Sequence, residues 1–110
     1  MKCLFCQIAA HKIPTEVIFE NKRLMVIFDI NPKAKSHLLI FPKEHLSDSV
    51  DDLKDEKILE EVFAACRQLA MQYGIHKTGY RIITNHGNDA GQSVSHLHFH
   101  LLGGERLSDS

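Results

Sequence analysis

His96-Leu97-His98-Phe99-His100-Leu101-Leu102 sets three imidazoles at alternate positions, with apolar residues between and after them. In an extended chain successive side chains point to opposite faces, so the three rings share one face while Leu97, Phe99 and Leu101 bury the other. A core gains nothing from three imidazoles, and this stretch is therefore the candidate seat of chemistry. Two chemistries use such a spacing. Two or three of the rings can hold a metal that activates water. Alternatively one ring attacks phosphorus and carries a covalent group while its neighbours handle charge and protons. The preceding Gly91-Gln92-Ser93 offers backbone N–H groups and a hydroxyl just before the histidines. Such a nest suits phosphate oxygens and favours the second chemistry.

Eight histidines and three cysteines occur in the 110 residues. His11, His76 and His86 lack patterned neighbours and read as surface or loop residues. An odd cysteine count fits no closed disulfide framework. Cys3-Leu4-Phe5-Cys6 brings two thiols to one face of a helical turn, which is half of a four-ligand metal site. The competing reading is a redox pair, which normally opens a helix that follows a strand. Cys66 falls on an apolar helix stripe and reads as a small buried hydrophobe.

The surrounding elements follow from periodicity. A short helix is expected from about Leu4 to His11, before Ile13-Pro14. Val17 to Glu20 and Leu24 to Phe28 read as a hairpin about Asn21-Lys22-Arg23, and His37 to Phe41 as a third strand stopped by Pro42. Ile58, Leu59, Val62, Phe63, Cys66, Leu69, Ala70 and Tyr73 recur at helical spacing. Asp51, Asp52 and Asp55 precede that helix, where acids suit an N-terminus, and Gly74 stands at its C-terminal cap. Tyr80 to Asn85 and Ser95 to Leu102 complete five strands, separated by the Gly-rich loop from His86 to Gln92. Strands joined mainly by turns, with one long helix inserted, imply a largely antiparallel sheet of the α+β class. The helix stripe and the Leu97/Phe99/Leu101 face should pack together, leaving the histidine face open to a ligand.

Length and composition are those of one globular domain, spanning residues 1–110, with 44% hydrophobic and 25% charged residues. A net charge of -1 argues against a general nucleic-acid or acidic-membrane binder. No run approaches the roughly 18 apolar residues of a membrane span. The N-terminus turns polar too soon for a signal-peptide core, so a cytoplasmic location is expected.

The segment from His96 to Leu102 resembles the His-φ-His-φ-His-φ-φ signature of the histidine triad (HIT) superfamily. Phe28-Asp29-Ile30-Asn31-Pro32, Ser36-His37-Leu38-Leu39-Ile40, Pro42-Lys43-Glu44-His45, Tyr80-Arg81, Asn85 and Gly91-Gln92-Ser93-Val94 resemble its Hint branch in order and spacing. The resemblance implies a nucleotide hydrolase or transferase that cleaves purine nucleoside phosphoramidates through a nucleotidyl-histidine on His98. It implies that His100, Asn85 and Ser93, with Gly91 and Gln92, hold the phosphate, and that Ser93 or His100 protonates the leaving amine. It places His37 against the nucleophile, Asp29 on the ribose, and Phe5, Ile8, Ile27 and Ile30 around the base. For those four, core packing is an equal alternative, and Asp29 also suits a turn before Asn31-Pro32. An imidazole of ordinary pKa, about 6.5, is largely neutral and nucleophilic at pH 7.

The zinc-bearing members of the superfamily further imply a structural Zn2+ held by Cys3, Cys6, His45 and His96, with no organic cofactor. Family members usually form two-fold dimers through the long helix and an adjoining strand, so a homodimer is expected. Many Hint proteins carry a Trp-containing tail; residues 103–110 hold no Trp, which leaves the leaving-group preference open. Lys33, Lys35 and Lys43 would serve extra phosphates if the substrate were a dinucleoside polyphosphate, as in the Fhit branch. The remaining alternatives are a nucleotide-binding scaffold with incidental turnover and a catalytic metal on the triad itself.

Overall fold

The computed structural model describes residues 3–109. Two helices, α1 (Leu4–Ala9) and α2 (Lys57–Gln72), flank five strands: β1 (Val17–Glu20), β2 (Leu24–Phe28), β3 (Ser36–Pro42), β4 (Tyr80–Ile83) and β5 (Phe99–Gly103). The sheet order is β1-β2-β3-β5-β4, and every neighbouring pair is antiparallel. This is the expected α+β class and strand count. Among the described residues, no helix is long and apolar enough to cross a membrane.

Alternation along the strands divides the interior into two cores. Leu24, Val26, Leu38, Ile40, Leu97, Phe99 and Leu101 face α2 and meet its buried Ile58, Val62, Cys66, Leu69 and Ala70. Met25, Ile27, Leu39 and Phe41 face the other way and meet Phe5 and Ile8 of α1. Phe5 stacks on Phe41 with ring centroids 4.5 Å apart. Helix α1 therefore covers part of the histidine face, which the sequence reading left open. The reason is the apolar pair Phe5 and Ile8, which needs burial and finds it only on that face.

The ends of several elements differ from expectation. α1 stops at Ala9, and Lys12 N–H reaches back to the Gln7 carbonyl. β4 ends at Ile83, short of Asn85, and beyond it the Thr84 hydroxyl donates to the His98 carbonyl at 2.8 Å. β5 begins at Phe99 rather than Ser95. Leu97 N–H bonds to the Ser47 carbonyl at 3.0 Å, so the first two histidines are held by a loop outside the ladder. Gly74 closes α2 in the left-handed conformation, φ +74°, as a C-terminal glycine should. The acids ahead of α2 serve other ends. Asp55 pairs with Arg23, and Asp52 accepts the N–H groups of Asp48 and Ser49 at 3.0 and 2.9 Å.

Candidate functional site

Antiparallel register brings the histidines of two strands together. Leu39 lies opposite His100 and His37 opposite Leu102, so His37 and His100 are diagonal neighbours on one face. His37 Nε2 and His100 Nδ1 are 2.9 Å apart. The backbone N–H of Lys33 donates to His37 Nδ1 at 3.0 Å. An N–H can only donate, so the neutral His37 ring carries its proton on Nε2 and passes it to His100 Nδ1. His100 in turn must carry its own proton on Nε2. Burial, then the nearby His98 and His37 rings, pushes His100 down to about 4. Burial likewise lowers His37, with Asp29 opposing and Lys33 reinforcing. Both rings are thus neutral at pH 7, and the pair presents one N–H donor.

His98 is fixed from the other side. Its Nδ1 lies 2.7 Å from the carbonyl oxygen of His96, an atom that can only accept. The proton therefore sits on Nδ1, and Nε2 is left with its lone pair. The ring packs against Phe5 at 5.0 Å, with 8% of the residue exposed. The resemblance implies His37 against the nucleophile; the structure sets it against His100, because the diagonal register reaches that ring first.

Two cavities meet at His98 and His100. One, of about 460 Å3, has mostly polar residues in its wall, among them Lys33, His37, Asn85, Gln92 and Ser93, beside the apolar Ile83 and Leu102. The second, of about 410 Å3, is largely apolar and is lined by Phe5, Ile8, Ile13, Ile27, Ile30, Leu39 and Val94 among others. Asp29, Asn31 and Ser93 also border both. A molecule with a charged group beside an apolar ring fits such a seam. Asp29 accepts the Asn31 N–H on Oδ1 at 2.8 Å, which is the turn role, while Oδ2 lies 3.4 Å from His37 Nε2.

Phe5, Ile8 and Ile27 serve both readings, since they are core residues that also line the apolar cavity. Ile30 is different. It is 89% exposed, belongs to neither core among the described residues, and borders the apolar cavity. Ile13, Leu39 and Val94 were not singled out from sequence. Their alternation and spacing are those of ordinary apolar residues, and only the packing of α1 over the sheet makes them a cavity wall.

The four candidate metal ligands converge. One donor atom each from Cys3, Cys6, His45 and His96 lie within 4.8 Å of one another. Cys3 Sγ is 3.2 Å from His96 Nδ1, and Cys6 Sγ is 3.6 Å from His96 Nδ1 and 3.5 Å from His45 Nδ1. Zinc bonded tetrahedrally to sulfur and nitrogen gives edges of about 3.5 Å. The outer nitrogens are engaged as ligating imidazoles require. His96 Nε2 donates to the Pro42 carbonyl at 2.8 Å, and His45 Nε2 pairs with Asp48 Oδ1 at 3.0 Å. Both Nδ1 lone pairs then face the sulfurs. Burial holds His96 down at about 4, so that lone pair is free at neutral pH. Burial and the adjoining Cys3 push Cys6 up to about 11, so the two thiols do not ionise together without a cation between them. The donor set fits a closed four-coordinate site.

Asp29, His37 and His100 also lie within 4.8 Å of one another. There the ring nitrogens that face each other are hydrogen-bonded, which commits the His100 Nδ1 lone pair and the His37 Nε2 proton to one another.

A family model described as HIT domain matches residues 10–107. The chain belongs to the HIT domain family. An uncharacterized HIT-like protein of Rickettsia prowazekii is 35% identical over 106 residues, covering 94% of this chain and 88% of the relative. A HIT family hydrolase from Clostridium thermocellum superposes with a TM-score of 0.92 at 41% identity, over 99% of this chain and 96% of that one. A histidine triad protein from Clostridium difficile gives 0.94 at 38% identity, over 100% and 96%. A histidine triad nucleotide-binding protein from Candida albicans gives 0.83 at 27%, over 99% and 85%. The chain is thus a HIT-domain protein whose structural relatives include a hydrolase of that family.

Proposed function

We propose that this HIT protein belongs to the Hint branch and hydrolyses purine nucleoside 5'-phosphoramidates, with His98 as nucleophile. One observation carries the reading: the His96 carbonyl takes the Nδ1 proton of His98, which leaves the Nε2 lone pair on a ring that lines both cavities. The nucleoside occupies the apolar cavity against Ile30, Phe5, Ile8 and Ile27, with Asp29 at the ribose hydroxyls. The α-phosphate lies in the polar cavity among Asn85, Gly91, Ser93 and His100.

His98 Nε2 attacks the α-phosphorus. The Nε2–P bond forms, the P–N bond breaks with its electron pair, and the leaving amine takes a proton from Ser93 or His100. The imidazolium character gained by His98 is met by the His96 carbonyl at Nδ1. His100 Nε2–H and the loop donors meet the charge that grows on the phosphoryl oxygens. Water then attacks phosphorus and returns its proton to whichever of Ser93 and His100 gave one up, the Nε2–P bond breaks, and nucleoside monophosphate and neutral His98 are released.

Cys3, Cys6, His45 and His96 would hold Zn2+, which would supply structural cross-linking of the N-terminal segment to the sheet. A homodimer through α2 and the β4 edge is supported by the exposure of Phe63, Met71 and Tyr80 there. Of the three lysines that a dinucleoside polyphosphate would need, Lys33 alone borders the polar cavity, and Lys43 is paired with Glu20. The phosphoramidate reading is therefore preferred. Steady-state turnover of adenosine 5'-phosphoramidate by the protein and by His98→Asn tests it. The expected outcome is loss of at least about a thousandfold in kcat with AMP binding retained. Full activity in the variant would refute the nucleophile, and a wild-type chain that binds AMP without turnover would make it a binding protein.

A further inference from the structure

Residues 86–93 carry the phosphate-facing Gly91 and Ser93, yet they lie outside every strand. Gly87 and Gly91 adopt positive φ, +82° and +75°, and Asn88, Asp89, Ala90 and Ser93 are exposed. Among the described residues, two hydrogen bonds leave this loop for a distant part of the chain. Gln92 Nε2 donates to the Asp48 carbonyl at 2.6 Å, and His86 Nδ1 meets Ser49 Oγ at 2.7 Å. Both end on the same turn, which Asp52 rigidifies through the Asp48 and Ser49 N–H groups.

The Gln92 amide has no proton left to give a phosphate. Its oxygen accepts the Gly87 N–H at 2.9 Å, and its nitrogen donates to Asp48 and, at 3.1 Å, to the Val94 carbonyl. One N–H donor and two carbonyl acceptors fix which end of the amide is which and use both of its protons. Ser49 is 2% exposed, and its hydroxyl accepts the Asp51 N–H at 3.2 Å while it meets His86 Nδ1 from a buried, oriented position.

We propose that Gln92 and His86 are positioning residues that pin the loop to the turn at residues 48–52 and so set the Gly91 and Ser93 donors at the phosphate. The proposal rests on the phosphoramidase reading. It assigns Gln92 a task inside the protein, where the sequence suggested a ligand contact. Its consequence is selective. Phosphate recognition depends on the clamp, whereas the apolar cavity, whose wall is mostly α1, the sheet and residues 13–15, meets the clamped segment only at Ser93 and Val94 and depends on it little.

The test compares AMP and adenosine as ligands by calorimetry for the protein, Gln92→Met and His86→Ala, together with thermal unfolding. Methionine keeps the side-chain length and removes all three bonds. The expected result is a fall of about tenfold in the preference for AMP over adenosine, with adenosine affinity within about twofold and the melting temperature little changed. His86→Ala should give a smaller fall in the same direction, and it decides the matter if Gln92→Met does not fold. Variants that keep the AMP preference, or that weaken both ligands equally, overturn the clamp and leave the proposed function standing. A wild-type chain that does not prefer AMP overturns both.

Discussion

His37 and His100, from adjacent strands, share one hydrogen bond of 2.9 Å whose direction is set by the Lys33 backbone. The Lys33 N–H occupies one side of the His37 ring, so the proton on the other side points to His100, and the last proton of the relay is on His100 Nε2. His37 thereby acts through His100. His37→Ala should lower kcat by about 10–100-fold and leave KM for the phosphoramidate within about threefold. His37→Gln, which retains an N–H donor, should recover part of the loss. Equal effects of the two substitutions on kcat and KM would show that His37 merely fills space.

The same neutral rings make stability depend on pH. His100 is held at about 4 in the folded chain by burial, against an ordinary value of about 6.5 when unfolded. Above 6.5 neither state binds the proton and the group contributes nothing. Between 6.5 and 4 the unfolded chain takes up a proton that the folded chain refuses, so stability falls as pH falls through that window. Denaturant unfolding at pH 7.5 and pH 5 should show a loss on the order of 1–2 kcal/mol, and His100→Asn should remove most of His100's share. An unchanged acid sensitivity in His100→Asn would contradict the assignment.

Ile30 allows a clean test of the apolar cavity, because at 89% exposure it contributes little to the core. Ile30→Ala removes apolar contact worth about 1–2 kcal/mol to a bound purine, a factor of roughly 5–30 in affinity. The melting temperature should not move. Calorimetry with adenosine reads the first quantity and thermal unfolding the second; a fall in melting temperature with unchanged affinity would return Ile30 to a structural role.

Metal content is measurable directly. One zinc per chain should co-purify, and Cys3→Ser should lose it, since a closed site of four donors cannot keep its affinity with three. A metal held a thousandfold above its Kd stabilises by about 4 kcal/mol, so the variant or a strong chelator should lower the melting temperature by several degrees. The absence of bound metal in protein prepared without chelator, with zinc added back, would count against the site.

Much of the fold was legible because its signals are periodic. The hairpin of β1 and β2 falls at its expected residues, and α2 and its Gly74 cap follow from spacing and one glycine. The start of β5 is not legible, since the Leu97 N–H bonds to Ser47, a partner remote in sequence. The triad histidines announced themselves by alternation, but their division of labour did not. Which imidazole carries which proton depends on the His96 carbonyl, the Lys33 N–H and a diagonal register, none of which is a side-chain type. His86 reads as a surface or loop residue and is one, but its hydrogen-bond partner, Ser49, lies 37 positions away in a stretch without pattern.

Nucleotidylation of His98 is read directly by intact-mass spectrometry on acid-quenched protein. The protein would be mixed with a slowly hydrolysed adenosine phosphoramidate and sampled within the first turnovers. The account predicts a species heavier by one adenylyl group, mapped by peptide fragmentation to His98 and absent in His98→Asn. Turnover at the normal rate with no adduct at any time point, or with the adduct on another residue, would contradict it.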